Sequence, residues 1–100
     1  MMRRPPLACS EHALARWALR TGRDPQELAQ AWHEAVFVGQ VRGHHHRVLF
    51  GYRVGSVVIL VRYRGPRRHQ RPQWAAVSVW AWPHWAKWRE KTEHEGAIRR

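Results

Sequence analysis

The apolar positions of this chain change period along its length. Leu14, Trp17 and Ala18 fall at i, i+3 and i+4, the stripe of a helix that buries one side. Ser10 stands where an N-cap belongs and Gly22 where a helix stops, so a helix is predicted from Ser10 to Thr21. A second stripe follows in Leu28, Ala31, Trp32, Ala35 and Val36. Asp24, Pro25 and Glu27 supply the cap, the N1 proline and the N3 carboxylate of a capping box, and Gly39 is the predicted stop. The short connection between the two stripes predicts an αα-hairpin.

After Gly43 the period becomes two. HRVLFGYRV and VVILVRYR flank Gly55-Ser56, a two-residue loop with glycine first, which suits a type II′ turn. That loop sets the register. Val54 faces Val57, Tyr52 faces Ile59, Phe50 faces Val61 and Val48 faces Tyr63. Opposed residues share a face, so this face is apolar and is expected to pack on the helices. The other face pairs Arg53 with Val58, Gly51 with Leu60, Leu49 with Arg62 and Arg47 with Arg64, an arginine-rich surface with an apolar centre.

A third strand is predicted from Trp74 to Trp82. Ala75, Val77, Val79 and Ala81 make one side; Trp74, Ala76, Ser78, Trp80 and Trp82 make the other. The smaller set suits the helix side and the tryptophans the arginine side. The inverse, with the rings inward, fills a small core equally well. Pro83 ends the strand and opens a last helix, with Trp85 and Trp88 anchoring it to the sheet. The expected fold class is α+β: an N-terminal αα-hairpin packed on a three- to four-stranded antiparallel sheet, with a short C-terminal helix. Residues 1–9 read as a flexible arm, 10–95 as a single domain and 96–100 as a basic tail. Leu28, Trp32, Phe50, Ile59 and Val61 are the expected core.

Composition adds the partner. One hundred residues support one core. The formal net charge is +11, and only Lys87 and Lys91 among its 18 bases are lysine. Arginine forks onto phosphate and stacks on bases. A GC-rich coding sequence would also favour arginine, but the charge remains whatever its origin. It directs the protein toward RNA, DNA, an anionic surface or an acidic protein.

Cys9 is the single cysteine, which excludes an intramolecular disulfide and any zinc knuckle. No apolar run reaches the length of a signal peptide or a membrane span. A cytoplasmic protein with no membrane partner is expected. His44, His45 and His46 are consecutive, and neighbours on an extended chain point to opposite faces. They do not offer three ligands to one ion, so neither a metal nor another cofactor is expected.

His12, Arg16 and Arg20 recur every fourth residue along one helical side. A neutral imidazole beside guanidinium groups suits a general base next to phosphate-binding cations. The alternative is a solvated helix face. The stretches SEHALARW, RTGRDPQELAQAWHEAVFVGQ, HRVLFGYRVGSVVILVRYR and WAAVSVWAW, in that order, resemble a family of small bacterial and phage domains. That family is similar in turn to the RelE/barnase-like fold of metal-independent endoribonuclease toxins. The resemblance covers residues 9–83, and its specific part is His12-Ala13-x-x-Arg16 with Gly39. It implies that His12 and Arg16 belong to a functional cleft.

On that reading His12 is the base for attack by a 2′-hydroxyl, Arg16, Arg47 and Arg62 clamp the phosphate, and His46 or Tyr63 is the acid. Tyr63 falls on the apolar face in the predicted register, which counts against it. Arg20, Arg47, Arg53, Arg62, Arg64, Arg67, Arg68, Arg71 and Trp74 are the expected nucleic-acid contacts. The expected function is RNA binding, with metal-independent cleavage as its toxin-type extension and an acidic antitoxin as a further partner. The competing reading is a non-catalytic regulator, of a kind phages encode, that grips single-stranded nucleic acid or an acidic host protein through its Arg/Trp surface.

Overall fold

The computed structural model describes residues 4–42, 47–65 and 73–98, with side chains as far as Lys91. Its elements are β1 (Leu7–Cys9), α1 (Glu11–Thr21), α2 (Glu27–Glu34), β2 (Val36–Arg42), β3 (Val48–Val54), β4 (Val57–Arg64), β5 (Gln73–Ala81) and α3 (Trp82–Ile98). The strands form one sheet in the order β1-β5-β4-β3-β2. The β1–β5 pair is parallel and the other three pairs are antiparallel.

The central hairpin forms as its turn dictates. Tyr52 lies opposite Ile59, Phe50 opposite Val61 and Val54 opposite Val57. Gly55 has φ 59°, the left-handed backbone that the first position of a primed turn requires. The first helix also follows its signals. The Ser10 hydroxyl accepts from the Ala13 amide at 3.1 Å. Gly22, at φ 68°, returns its own amide to the Ala18 carbonyl.

Three features correct the expected fold. The sheet is five-stranded and mixed, not a three- to four-stranded antiparallel one, because β1 adds to the outer edge of β5. Leu7, Ala8 and Cys9 pair with Trp74, Ala75 and Ala76. Three residues are too few to display an alternation, so nothing in the stretch expected as an arm announces a strand. The preceding segment is held too: Trp32 Nε1 donates to the Pro5 carbonyl at 2.9 Å, and Arg4 donates to the Trp32 carbonyl.

Second, α1 and α2 are not an N-terminal hairpin. A strand precedes them, and each docks on the sheet by itself, α1 along β5 and α2 against β1 and β3. The capping contacts of Asp24 and Glu27 do form: Glu27 accepts from the Asp24 amide at 3.0 Å and Asp24 from the Gln26 amide at 2.8 Å. The helix nevertheless ends at Glu34, five residues before Gly39. Val36, Phe37, Val38 and Val41 are β-formers, and all of them but Val38, which lies at a bulge, pair with β3 at the sheet edge. Third, the last helix is long, at 17 residues.

The third predicted strand forms as β5, but neither assignment of its faces holds. Leu60 pairs with Ser78 and Val61 with Ala76, so Val77 is an extra residue. This bulge switches faces mid-strand. Trp74 and Ala76 therefore join Val79 and Ala81 on the side of α1 and α2, while Ala75, Ser78 and Trp80 turn to the other.

The sheet thus has a core on each face. On one, Trp17, Leu28 and Trp32 from the helices are buried with Leu7, Val57, Ile59, Val61, Ala76 and Val79. Phe50, expected in that core, is only half-buried. On the other, Val41, Val58, Leu60 and Trp85 are buried under α3. Trp85 is the anchor expected of it: its ring sits on Gly51, where a Cβ would lie 2.4 Å from ring carbon Cη2. The apolar centre of the arginine side is therefore covered. Among the described residues no helix is long and apolar enough to cross a membrane.

Candidate nucleic-acid interface

The helix face His12–Arg16–Arg20 lies along the outer edge of β5 beyond the end of β1. An open strand edge exposes backbone groups that pair promiscuously, and α1 occupies this one. Ser10 donates its amide to the Ala76 carbonyl at 3.3 Å. Arg20 Nε donates to the Val79 carbonyl at 2.8 Å. His12 Nε2 lies 3.3 Å from the Ser78 hydroxyl. These contacts dock the helix. Arg16, half-buried between them, has no hydrogen bond to another described residue.

The predicted arginines separate into two groups. Arg53 sits at the turn end of the sheet, where Nε donates to the Gly55 carbonyl at 2.9 Å and the guanidinium lies 3.9 Å from the Trp82 ring centroid. Arg47, Arg62 and Arg64 sit toward the opposite end, which Arg42 shares. Arg42, Arg47 and Arg64 are exposed. Arg62, Tyr63, Arg64 and Gly65 line an open groove of about 330 Å³. None of its lining comes from α1: Arg62 stands opposite Ala75, across β5 from the edge that His12 occupies. His46, Arg67, Arg68 and Arg71 lie outside the described residues.

Trp74 belongs to an aromatic row that the sequence reading missed. Its ring centroid lies 4.7 Å from Tyr63 and 6.1 Å from Phe50, and Phe50 lies 6.4 Å from Phe37. The row crosses β5, β4, β3 and β2 on the face that α1 and α2 cover only in part. Phe37 is 52% exposed, and Tyr63 and Val48 are each 42% exposed. The arginine of the arm reaches the same face: the Arg4 guanidinium lies 4.9 Å from the Tyr52 ring and 5.1 Å from Trp32. The sequence carried two signals for this surface. Aromatic residues recur on one register face at positions 50, 52 and 63, and no carboxylate occurs between Glu34 and Glu90.

Burial pushes the Cys9 thiol up, which disfavours the reactive thiolate. No protein-family model matches this chain, and no match was found among curated proteins or solved structures.

Proposed function

We propose that this protein binds RNA or another single-stranded nucleic acid at the end of the sheet that carries Arg42, Arg47, Arg62 and Arg64. The observation that carries this reading is the grouping of those arginines at one end of the sheet, Arg42 on β2, Arg62 and Arg64 on β4, and Arg47 just before β3. Arg42, Arg47 and Arg64 are exposed, and the stretch 35–89 that holds them contains no carboxylate. A polyanion gains from such a group by releasing its condensed counterions. The reading needs no metal ligand and no catalytic base.

It also departs from the cleavage chemistry that the RelE/barnase-like resemblance implies. The proposed base, His12, stands with Ser78 at the far edge of β5, while Arg62 lines a groove across that strand. Arg20 is engaged with a backbone carbonyl. Binding is therefore the better supported activity.

The test is titration of labelled RNA with the full chain across a salt series in EDTA. Affinity should fall steeply with salt. Changing Arg42, Arg47 and Arg64 together to Gln should weaken binding and flatten the single-strand salt slope by about 2, for three lost phosphate contacts. Arg53→Gln, at the other end, should change it little. Salt-independent affinity would instead indicate a contact without phosphate neutralisation. The same gels read out cleavage: RNA cut in EDTA by wild type and spared by His12→Ala would restore the ribonuclease reading.

A further inference from the structure

The arginine end accounts for charge but not for the exposed rings beside it. Phe37 and Tyr63 stand well out of the surface, although each could have been a polar residue at no cost to the core. Their neighbours continue the row without a gap. The ring planes meet at 45° for Phe37–Phe50, 61° for Phe50–Trp74 and 46° for Tyr63–Trp74. These rings do not close each other's faces as parallel stacking would. From β2 to β5 the row spans three strand spacings, roughly 14 Å. Sheets that display aromatic side chains in this way stack two or three bases on them.

The surroundings choose the occupant. An apolar patch of this kind invites a second copy of the chain, but Arg42 is exposed on the same face, and Arg47 and Arg64, which alternate to the other face, are exposed at the same end of the sheet. Two such faces would bring like charges together, in a chain already at +11. A ligand that fits must be anionic and must offer flat apolar surfaces. A nucleic-acid duplex is anionic, but its base faces are closed within the stack. An unpaired strand offers both phosphates and open base faces.

We propose that Phe37, Phe50, Tyr63 and Trp74 form a stacking platform for two or three unpaired bases, with Arg42 holding phosphate on the same face and Arg47 and Arg64 holding the strand where it passes the end of the sheet. The ligand is thus a single-stranded segment and not a duplex. This inference rests on the nucleic-acid reading above.

The test compares the full chain with the Phe37→Leu/Tyr63→Leu double variant, two exposed positions where leucine keeps the surface apolar and removes the ring. Circular dichroism verifies that the variant is folded. The probes are a short single-stranded RNA, the DNA of the same sequence, the RNA annealed to its complement, and inorganic polyphosphate. Wild type should bind a single strand at least tenfold more tightly than the duplex at matched salt. The double variant should lose on the order of 10- to 100-fold on single strands, the usual weight of base–aromatic contacts. Its salt slope and its polyphosphate affinity should stay as in wild type.

Single strands held equally well by both proteins would overturn the platform and leave the phosphate reading standing. Wild type that binds neither strands nor duplex would overturn both. A wild-type dimer that the double variant turns into a monomer would assign the face to a second copy and overturn the platform.

Discussion

The two faces of the sheet are covered by different means, and the difference accounts for which corner of it stays open. On one face two short helices, of 11 and 8 residues, bring Trp17, Leu28 and Trp32 down onto small and β-branched strand residues. On the other a single helix of 17 residues brings Trp85 onto Gly51. Helix placement decides the coverage. α3 leaves the end of β5 and crosses to β2, where Arg89, its eighth residue, lies over Gly39. The two shorter helices dock mainly toward β1, β5 and β3. The far corner, with Phe37, Val48 and Tyr63, stays uncovered. One face is closed around a ring seated on a glycine; the other is a core with an aromatic margin.

The sharpest way to break this comparison is at Trp85. Trp85→Ala removes the centre of the α3 face and should cost about 3–5 kcal/mol in chemical denaturation. That is a large share of the stability of a domain this size. A loss below about 1 kcal/mol would mean that α3 is held elsewhere and that the two faces do not differ as described. Gly51→Ala probes the same contact from the strand side. The added Cβ meets three Trp85 ring carbons at 2.4–2.7 Å, so overpacking should cost about 1–3 kcal/mol. The smallest effect belongs to the open margin. Tyr63→Leu removes a 42%-exposed ring whose main partner is Trp74, and denaturation should register less than about 1 kcal/mol. A larger loss there would place Tyr63 in the core and remove it from the proposed platform.

Much of the fold was legible where a local signal had a single meaning. The Gly55-Ser56 turn admits one register, and all the pairs predicted for residues 50–61 form. Ser10 and Gly22 bound α1 because their cap geometries need only neighbouring residues. Trp85 and Trp88 were correctly read as anchors, since a tryptophan pair at i, i+3 beside a sheet has few other uses. The candidate site was less legible. The arginines were named from the sequence, but Arg53 was grouped with residues that lie at the opposite end of the sheet. Phe37 was hidden by its reading as the continuation of a helix. Tyr63 and Trp74 were considered one at a time, although β4–β5 pairing sets them side by side.

The sequence by itself determined the elements whose hydrogen-bond partners lie close along the chain: the capped first helix, the hairpin and its two faces, and, to within one residue, the start of the last helix, expected at Pro83 and found at Trp82. It also determined the charge. Tertiary structure alone decided three things. β1 exists because β5 leaves an edge to pair with, and three residues carry no pattern of their own. α2 stops at Glu34 because β3 offers Val36–Arg42 a ladder, and ladder hydrogen bonds outweigh a helical stripe that two residues, Ala35 and Val36, had appeared to extend. Val77 is extruded because two neighbouring faces must both be filled, which no alternation within one strand can arrange. Each of these depends on a backbone partner distant in sequence, and such a partner becomes available only when the sheet has assembled.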